Sequence, residues 1–328
     1  MKMITDYKKL LLISLILAVF SVGVLGYNYS TTGDILDKSI DFKGGTVASV
    51  AISDTDLDLA FVEGIAKDKL GKVVVRTTSG NIGTSIVFES ENVITQESIS
   101  DILDSAAILH DKDDINIQSV GAALGEEFMR QAITAIIFAF VLMGLIIFLT
   151  FRTIVPSVAI ISAAILDILF AMALMVIFNI SLSLGTLAAL LLLIGYSVDT
   201  DILLTTRLIK RKSEGTLDER VSSSMKTGIT MTTSAIAAFS VLYLVSTSVV
   251  LDQIALVILF GLLADYITTW FQNVGLLRWY LRDKDKDEEN DEDEEEEDKK
   301  KPRYVRRQEK TKNSKSKKRA KAKKGKRR

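Results

Sequence analysis

The chain has 328 residues, 48% of them apolar, with 40 Lys+Arg against 41 Asp+Glu. It contains no cysteine and a single histidine, His110, which excludes disulfides, thiol catalysis and cysteine-based zinc centres and leaves no His cluster for a metal, so no metal or cofactor is expected. The near-zero net charge averages two opposed C-terminal blocks and therefore says nothing about partners.

Residues 10–27 are apolar over about the 20 residues that a spanning helix needs, and Lys2, Lys8 and Lys9 precede them. The run exceeds the roughly 7–15 residues of a signal-peptide core and ends in Gly-Tyr-Asn-Tyr instead of a small-x-small cleavage site. It reads as a retained anchor.

Residues 28–127 follow the pattern strand–helix–strand twice. Residues 46–52 alternate and are β-branched. Residues 57–70 repeat apolar positions at helical spacing, with Asp54 and Thr55 each able to cap and Gly71 as the stop. Strands follow at 72–77 and 85–88, joined through Ser79-Gly80-Asn81. A second helix over 95–109 opens at Thr95 with Ser98 three residues on, and 114–120 supplies the last strand. The order βαββαβ is that of a ferredoxin-like α+β domain.

Five more apolar spans occupy 132–151, 157–178, 184–206, 228–246 and 253–277. Arg152 lies between the second and third spans, and Lys210, Arg211, Lys212, Arg220 and Lys226 between the fourth and fifth. The loops 179–183 and 247–252 contain no Lys or Arg. The positive-inside rule therefore places these loops and the βαββαβ segment outside and both termini in the cytoplasm of a multi-pass cell-membrane protein. The expected fold class is an α-helical membrane protein, a six-helix transmembrane bundle with an extracytoplasmic α+β domain. Its divisions are 1–27 (N-terminus and first helix), 28–127 (outer domain), 128–280 (helices two to six) and 281–328 (tail).

The fourth span carries acids. Asp199, Asp201 and Arg207 stand in Gly195-Tyr-Ser-Val-Asp-Thr-Asp-Ile-Leu-Leu-Thr-Thr-Arg207, Asp167 lies mid-way along helix three, and Asp265 mid-way along helix six. A charged side chain at mid-bilayer costs roughly 2.5–3.5 kcal/mol even on the lenient insertion scale, so such residues face a bundle interior and mark pathways. Desolvation and mutual repulsion disfavour their charged form, which suits them to carrying protons. Thr227, Thr230, Thr232, Thr233 and Ser234 of helix five are expected to line the same seam. Asp199 and Asp201 differ by about 200° around the helix and so point to nearly opposite sides, one inward and one to a partner or the cytoplasmic rim. Arg207, about 12 Å along the helix from Asp199, is too far to pair with it and snorkels to the cytoplasmic surface.

No catalytic constellation is visible. The nearest approach to a phosphate loop, Gly64 to Gly71-Lys72, misses the Walker spacing and its Ser/Thr. His110 reads as a surface residue at a helix end, too isolated for a Ser–His–Asp hydrolase. Residues 283–298 are almost wholly acidic, and 299–328 hold 18 basic residues against one acid, a composition expected to stay disordered. The basic block reads as a solvated tail, or as a site for anionic lipid head groups or ribosomal RNA.

Three motifs carry a family resemblance: Ser39-Ile-Asp-Phe-Lys-Gly-Gly-Thr46, Val120-Gly-Ala-Ala-Leu-Gly-Glu-Glu-Phe128 and the helix-four string. In this order around six helices, they resemble the SecF family of protein-export membrane subunits, in the resistance-nodulation-division (RND) superfamily, over residues 1 to about 280. The resemblance implies an RND-type bundle and an accessory subunit of the Sec machinery. It would act with SecD, its six-helix relative, and the translocon channel on preproteins.

The resemblance marks Asp41, Phe42, Gly44, Gly45, Gly121, Gly125, Gly195, Tyr196 and Ser197 as motif residues, and Asp199, Asp201, Asp167, Asp265 and Arg207 as ion-coupling or assembly residues. The bacterial pattern Gly-Tyr-Ser-Ile-Asn-Asp-Thr is matched at Gly195, Tyr196, Ser197 and, further on, Arg207. Its central acid falls on Thr200, with acids displaced to Asp199 and Asp201 as in archaeal members. Independently of the family, the paired Gly44-Gly45 allows positive φ and close backbone approach, and Gly121 and Gly125 are expected to act likewise at the return crossing. The competing readings are an RND-type exporter of small molecules or lipids, and a structural scaffold of the translocon.

Overall fold

A computed structural model describes residues 7–52, 58–80, 83–110, 114–211, 213, 215–246 and 248–282. Asp54, Thr55, Asn81 and the charged tail from 283 onward lie outside the described residues. The chain divides into two units, 1–277 and 278–328, and the described part of the second, 278–282, is helical.

Helix α1 runs over Tyr7–Thr32, five residues past the expected end, and stops where Gly33 takes φ +83°. A one-turn helix, α2 (Ile40–Lys43), follows; Ser39 caps it, its side chain accepting from Asp41 N, and Gly44 with φ +76° ends it. Strand β1 (Gly45–Ile52) alternates as expected, burying Thr46, Ala48, Val50 and Ile52. Helix α3 (Leu59–Leu70) starts two residues later than expected. Its cap is Asp58, whose carboxylate accepts from Ala60 N and Phe61 N, so neither Asp54 nor Thr55 fills that position. Strands β2 (Val73–Gly80) and β3 (Gly83–Ser90) form a hairpin. Helix α4 (Gln96–Ser105), capped by Thr95 onto Ser98 N, is shorter than expected because the chain breaks at Ala107 with φ +56°. Strand β4 (Ile115–Val120) completes the domain.

The sheet order is β2-β3-β1-β4, with every neighbouring pair antiparallel and registers such as Val50↔Ile86 and Ala48↔Ile117. This is the split βαβ arrangement: β1 and β2 run the same way with β3 between them. One face packs on α3 and α4 around Val50, Ile86, Phe88, Ile99, Ile102 and Leu103. The other face, with Val47, Ser49, Val87 and Glu89, carries no helix of its own. It borders a cavity of about 370 Å³ closed by Ser181, Ser183 and Val250 at the helix ends below.

The remaining long helices are α5 (Ala122–Phe151), α6 (Ile154–Ile177), α7 (Leu184–Thr205), α8 (Leu217–Val245) and α9 (Val249–Ile267). α9 continues through a π-helical stretch, Thr268–Asn273, and α7 through another, Thr206–Lys210. Among the described residues six helices are long and apolar enough to cross a membrane. α5 and α8 reach ten and eleven residues beyond the N-terminal ends of their apolar spans. α6, α7 and α9 form the packed centre, with Met175, Leu190, Leu193 and Val257 in one cluster, whereas α5 and α8 leave most of their apolar surface outward, as lipid contact requires.

Candidate functional site

The α+β domain is bolted to the end of the bundle by backbone and side-chain bonds. Ser39 N donates to Leu182 O at 2.8 Å and Leu182 N to Asp37 O at 2.7 Å. The Asp41 carboxylate accepts from Leu184 N, the first residue of α7, at 2.9 Å. Arg76 of β2 donates to Asn179 O at 3.2 Å and Ser181 Oγ at 2.6 Å in the α6–α7 loop. Phe42 is buried against Ala132 and Leu187, an apolar plug between α5 and α7.

Glycines permit this contact. A Cβ on Gly44 would stand 2.5 Å from Ala122 Cα, and one on Gly125 would stand 2.9 Å from Gly44 N. Gly45, with φ +135°, would bring a Cβ 2.4 Å from Ser90 O. Gly121 differs from the expectation: its φ is −67° as the residue before α5, and a side chain there would meet nothing within 4 Å.

Inside the bundle the polar residues gather. Asp167 of α6 accepts from Ser197 of α7 at 2.5 Å and from Thr268 at 2.7 Å. Thr269 Oγ1 lies 2.8 Å from Asp201 Oδ1 and 3.0 Å from Asp265 Oδ1. Thr232 of α8 reaches Asp265 Oδ2 at 3.4 Å, and Gln272 donates to Ser162 at 2.9 Å. All three carboxyls are at most 1% exposed. One hydroxyl hydrogen serves one acceptor, so for both Thr269 contacts to be hydrogen bonds one of the two carboxyls must carry a proton. The cluster is thus a hydroxyl-bridged chain of acids through α6, α7, α8 and α9, chemically able to hold and exchange protons or to oblige a cation to enter.

The structure sorts the expected residues. Asp167, Asp201, Asp265 and Ser197 come together; Asp199 is exposed on the opposite side of α7, as the 200° separation requires. Arg207 turns to α8, where it donates to Ser223 at 2.8 Å. Gly195 and Tyr196 are outside the cluster, Tyr196 packing edge-on against Phe239 with ring centroids 6.0 Å apart.

Helix five does not present its hydroxyls as one seam. At 100° per residue only Thr232 points inward, Thr233 bonds Tyr266, and Thr230 and Ser234 are exposed and bond their own backbone. His110 is also not a surface residue. Its side chain is only 6% exposed, held by Ser100 Oγ at 3.0 Å and Ile108 O at 3.1 Å. Asp104 stands 3.9 Å off and mostly in solvent. Thr268, Thr269, Gln272 and Asn273 escaped the sequence reading; the dip in apolarity over Thr-Thr-Trp-Phe-Gln-Asn inside the last span is the signal that marks them. Among the described residues no group of three or more His, Cys, Asp and Glu is assembled for a metal ion.

Six helices long and apolar enough to span a membrane among the described residues, a ferredoxin-like domain seated on one end, and buried acids bridged by hydroxyls define a multi-pass membrane protein with an α+β domain at one end of its bundle. Residues 99–283 match the family model of the SecD/SecF protein-export membrane protein, C-terminal region. The chain is 38% identical to the protein-export membrane protein SecF of Methanothermobacter thermautotrophicus over 285 residues, 85% of this chain and 94% of that one. It is 38% identical to SecF of Pyrococcus furiosus over 84% of this chain and 92% of that protein. The chain belongs to the SecF family of protein-export membrane proteins. The crystal structure of SecDF, a translocon-associated membrane protein from Thermus thermophilus, superposes with a TM-score of 0.69 at 20% identity, over 85% of this chain but 38% of that longer one. SecDF in its super-membrane-facing form gives 0.54 at 20% identity. These likenesses carry the fold.

Proposed function

We propose that this chain is the SecF partner of a separate SecD chain, in an assembly that helps the Sec machinery move preproteins across the cytoplasmic membrane using an ion gradient. The observation that carries this is a physical connection. The helix that brings Ser197 and Asp201 into the buried cluster is the one whose first backbone N–H is held by Asp41 of the outer domain. A change of charge in the cluster that shifts α7 is thereby felt outside the membrane.

The SecF relatives are matched over nearly their whole length and the SecDF chain over 38% of its own, which supports a counterpart supplied in trans. The exposed Asp199 offers such a partner a polar foothold within the bilayer. In this reading residues 28–127 lie outside the cell and both termini in the cytoplasm, since the domain sits on the loops that lack Lys and Arg.

The test is affinity purification of the full chain from its own membranes in mild detergent, with mass spectrometry of what accompanies it. A SecD-like protein, with or without the translocon channel, is expected. Recovery of the chain alone, from preparations that keep other membrane complexes intact, overturns the reading.

A further inference from the structure

The α+β domain meets the bundle at the level of the lipid head groups. Tyr27 and Tyr29, in the last turns of α1, are exposed, and tyrosines gather at membrane–water interfaces. A little further along the chain, Lys38 bridges to Leu182, two residues before α7 begins. Ile35, Ile177 and Phe178 expose apolar surface at the same helix ends.

Beside the edge strand β2 these helix ends adjoin a cavity of about 500 Å³, an ordinary size for a ligand site. Lys38, Lys43, Lys67, Lys72 and Arg76 line it against Asp37, Glu89 and Glu91, an excess of two positive charges. Three of the cations are engaged: Lys38 with Asp34 at 2.8 Å, Lys67 with Glu63 at 2.7 Å, and Arg76 with Asn179 O and Ser181 Oγ. Glu89 is engaged as well, accepting a backbone bond from Ile40 beside the charge of Arg76. Lys43 and Lys72 are exposed and make no ion pair among the described residues.

Both lysines stand on fixed backbone. Lys43 closes α2, its N–H bonded to Ser39 O. Lys72 follows the end of α3 in a turn that Ser90 Oγ clamps through Lys72 O and Asn92 through Leu70 O. Ammonium groups donate charge-assisted hydrogen bonds to phosphate oxygens, so two of them facing one cavity suit a phosphate.

The surroundings narrow the ligand. Asp37 and Glu91 share the lining and repel a polyanion such as nucleic acid, whereas the single charge of a phosphodiester lies within the excess of two. The apolar fringe favours an amphiphile over a soluble phosphate: Ile35 directly precedes the lining segment that starts near Asp37, and Phe178 precedes Asn179, whose carbonyl Arg76 holds. Anionic lipids attract basic residues placed near the membrane surface.

We propose that this cavity holds the phosphate of an anionic membrane lipid from the leaflet beside the α+β domain, bound by Lys43 and Lys72, with its acyl chains along Ile35, Ile177 and Phe178. A lipid held there ties the domain to the bilayer as well as to the helix ends. The proposal goes beyond the export reading and does not depend on it.

The chain has no cysteine, so Val74→Cys, at an exposed position in the cavity lining, gives a single attachment point for a bimane fluorophore. The labelled full chain is placed in nanodiscs of dioleoylphosphatidylcholine with increasing dioleoylphosphatidylglycerol. The probe reports locally, so lipid gathered elsewhere on the chain does not register. Bimane emission is expected to shift saturably with phosphatidylglycerol. Lys43→Gln combined with Lys72→Gln is expected to need about tenfold more of it or more, and Lys43→Arg combined with Lys72→Arg to respond like the parent. An emission indifferent to phosphatidylglycerol, or a Gln pair that titrates like the parent, overturns the proposal. So does an equal shift produced by soluble glycerol phosphate in discs of phosphatidylcholine alone, which would make the ligand a free phosphate.

Discussion

The Asp41 carboxylate accepts the Leu184 backbone N–H at 2.9 Å, so a residue beside the α+β domain caps the start of a spanning helix 143 positions along the chain. Helix N-termini present unsatisfied N–H groups and favour negative charge. α7 already has a capping box from Ser183 and Thr186, and Asp41 adds the bond that this box leaves out. Asp41→Ala is expected to destabilise the folded protein by about 0.5–2 kcal/mol, the range for a lost cap. Asp41→Asn keeps an acceptor and loses only the charge term, about 0.3–1 kcal/mol. Thermal unfolding of the three proteins in one detergent checks the order; equal midpoints for Asp41→Ala and the parent would show that the bond does not hold the domain.

The glycines of the same junction separate into two kinds. Gly44→Ala puts a methyl 2.5 Å from Ala122 Cα at a backbone φ of +76°, and the obstacle is main chain. Gly125→Ala meets Gly44 N at 2.9 Å. Both are expected to reduce the yield of folded protein sharply, Gly44→Ala more so because strain at positive φ adds to the clash. Gly121→Ala, with open space around it, is expected to fold at close to parental yield. Size-exclusion profiles of the detergent extracts distinguish the cases.

Glu89 offers a pH-dependent probe outside the membrane. Burial pushes its carboxyl above the ordinary 4.5, opposed by the charges of Arg76 and Lys43 and by a backbone bond from Ile40, while Asp41 adds a smaller push in the same direction as burial. A raised folded value means that the folded state holds this proton more tightly than the unfolded chain. The Glu89 contribution therefore favours folding at low pH and is lost as pH climbs from 4.5 through the raised value. Glu89→Gln should flatten that part of the stability curve, making the variant relatively more stable than the parent at neutral pH than at pH 4.5. A parent-minus-variant difference that does not change with pH in this window would exclude burial as the cause.

Much of this architecture could be read from residues alone, and the failures have physical reasons. Charge inside apolar runs exposed Asp167, Asp201 and Asp265, because nothing else in a bilayer explains such residues, and a 100° step per residue separated Asp201 from Asp199. Alternation in 46–52 and the turn glycines marked the four-stranded sheet. What periodicity could not show is which of several equivalent hydroxyls is aimed inward: Thr232 is and Thr230 is not, a difference set by how α8 packs on α9. Thr269 was hidden for the opposite reason, since a threonine in a spanning helix usually satisfies itself on its own backbone. Only the neighbouring helices reveal that it bridges two acids. The cap at Asp58 was missed because Asp54 and Thr55 before it offered equally good capping chemistry.

Asp199 and Asp201 are two residues apart on one helix and should fail differently when changed to Asn. Asp201 is fully buried and receives Thr269; Asp201→Asn keeps the shape and removes the charge that an ion or proton would follow. It is expected to leave the partner complex intact and to impair export strongly. Asp199 is exposed on the outside of the helix and touches none of the cluster. Asp199→Asn is expected to leave the fold unchanged and to loosen the attachment of the partner in the membrane, where a polar contact is worth about 0.6 kcal/mol and rarely more than about 1.7. Co-purification yield and preprotein translocation, measured on the same two variants, separate the roles. If Asp201→Asn exported normally while Asp199→Asn did not, the working carboxylate would be the outward one, and the buried cluster would be reduced to holding α6, α7 and α9 together.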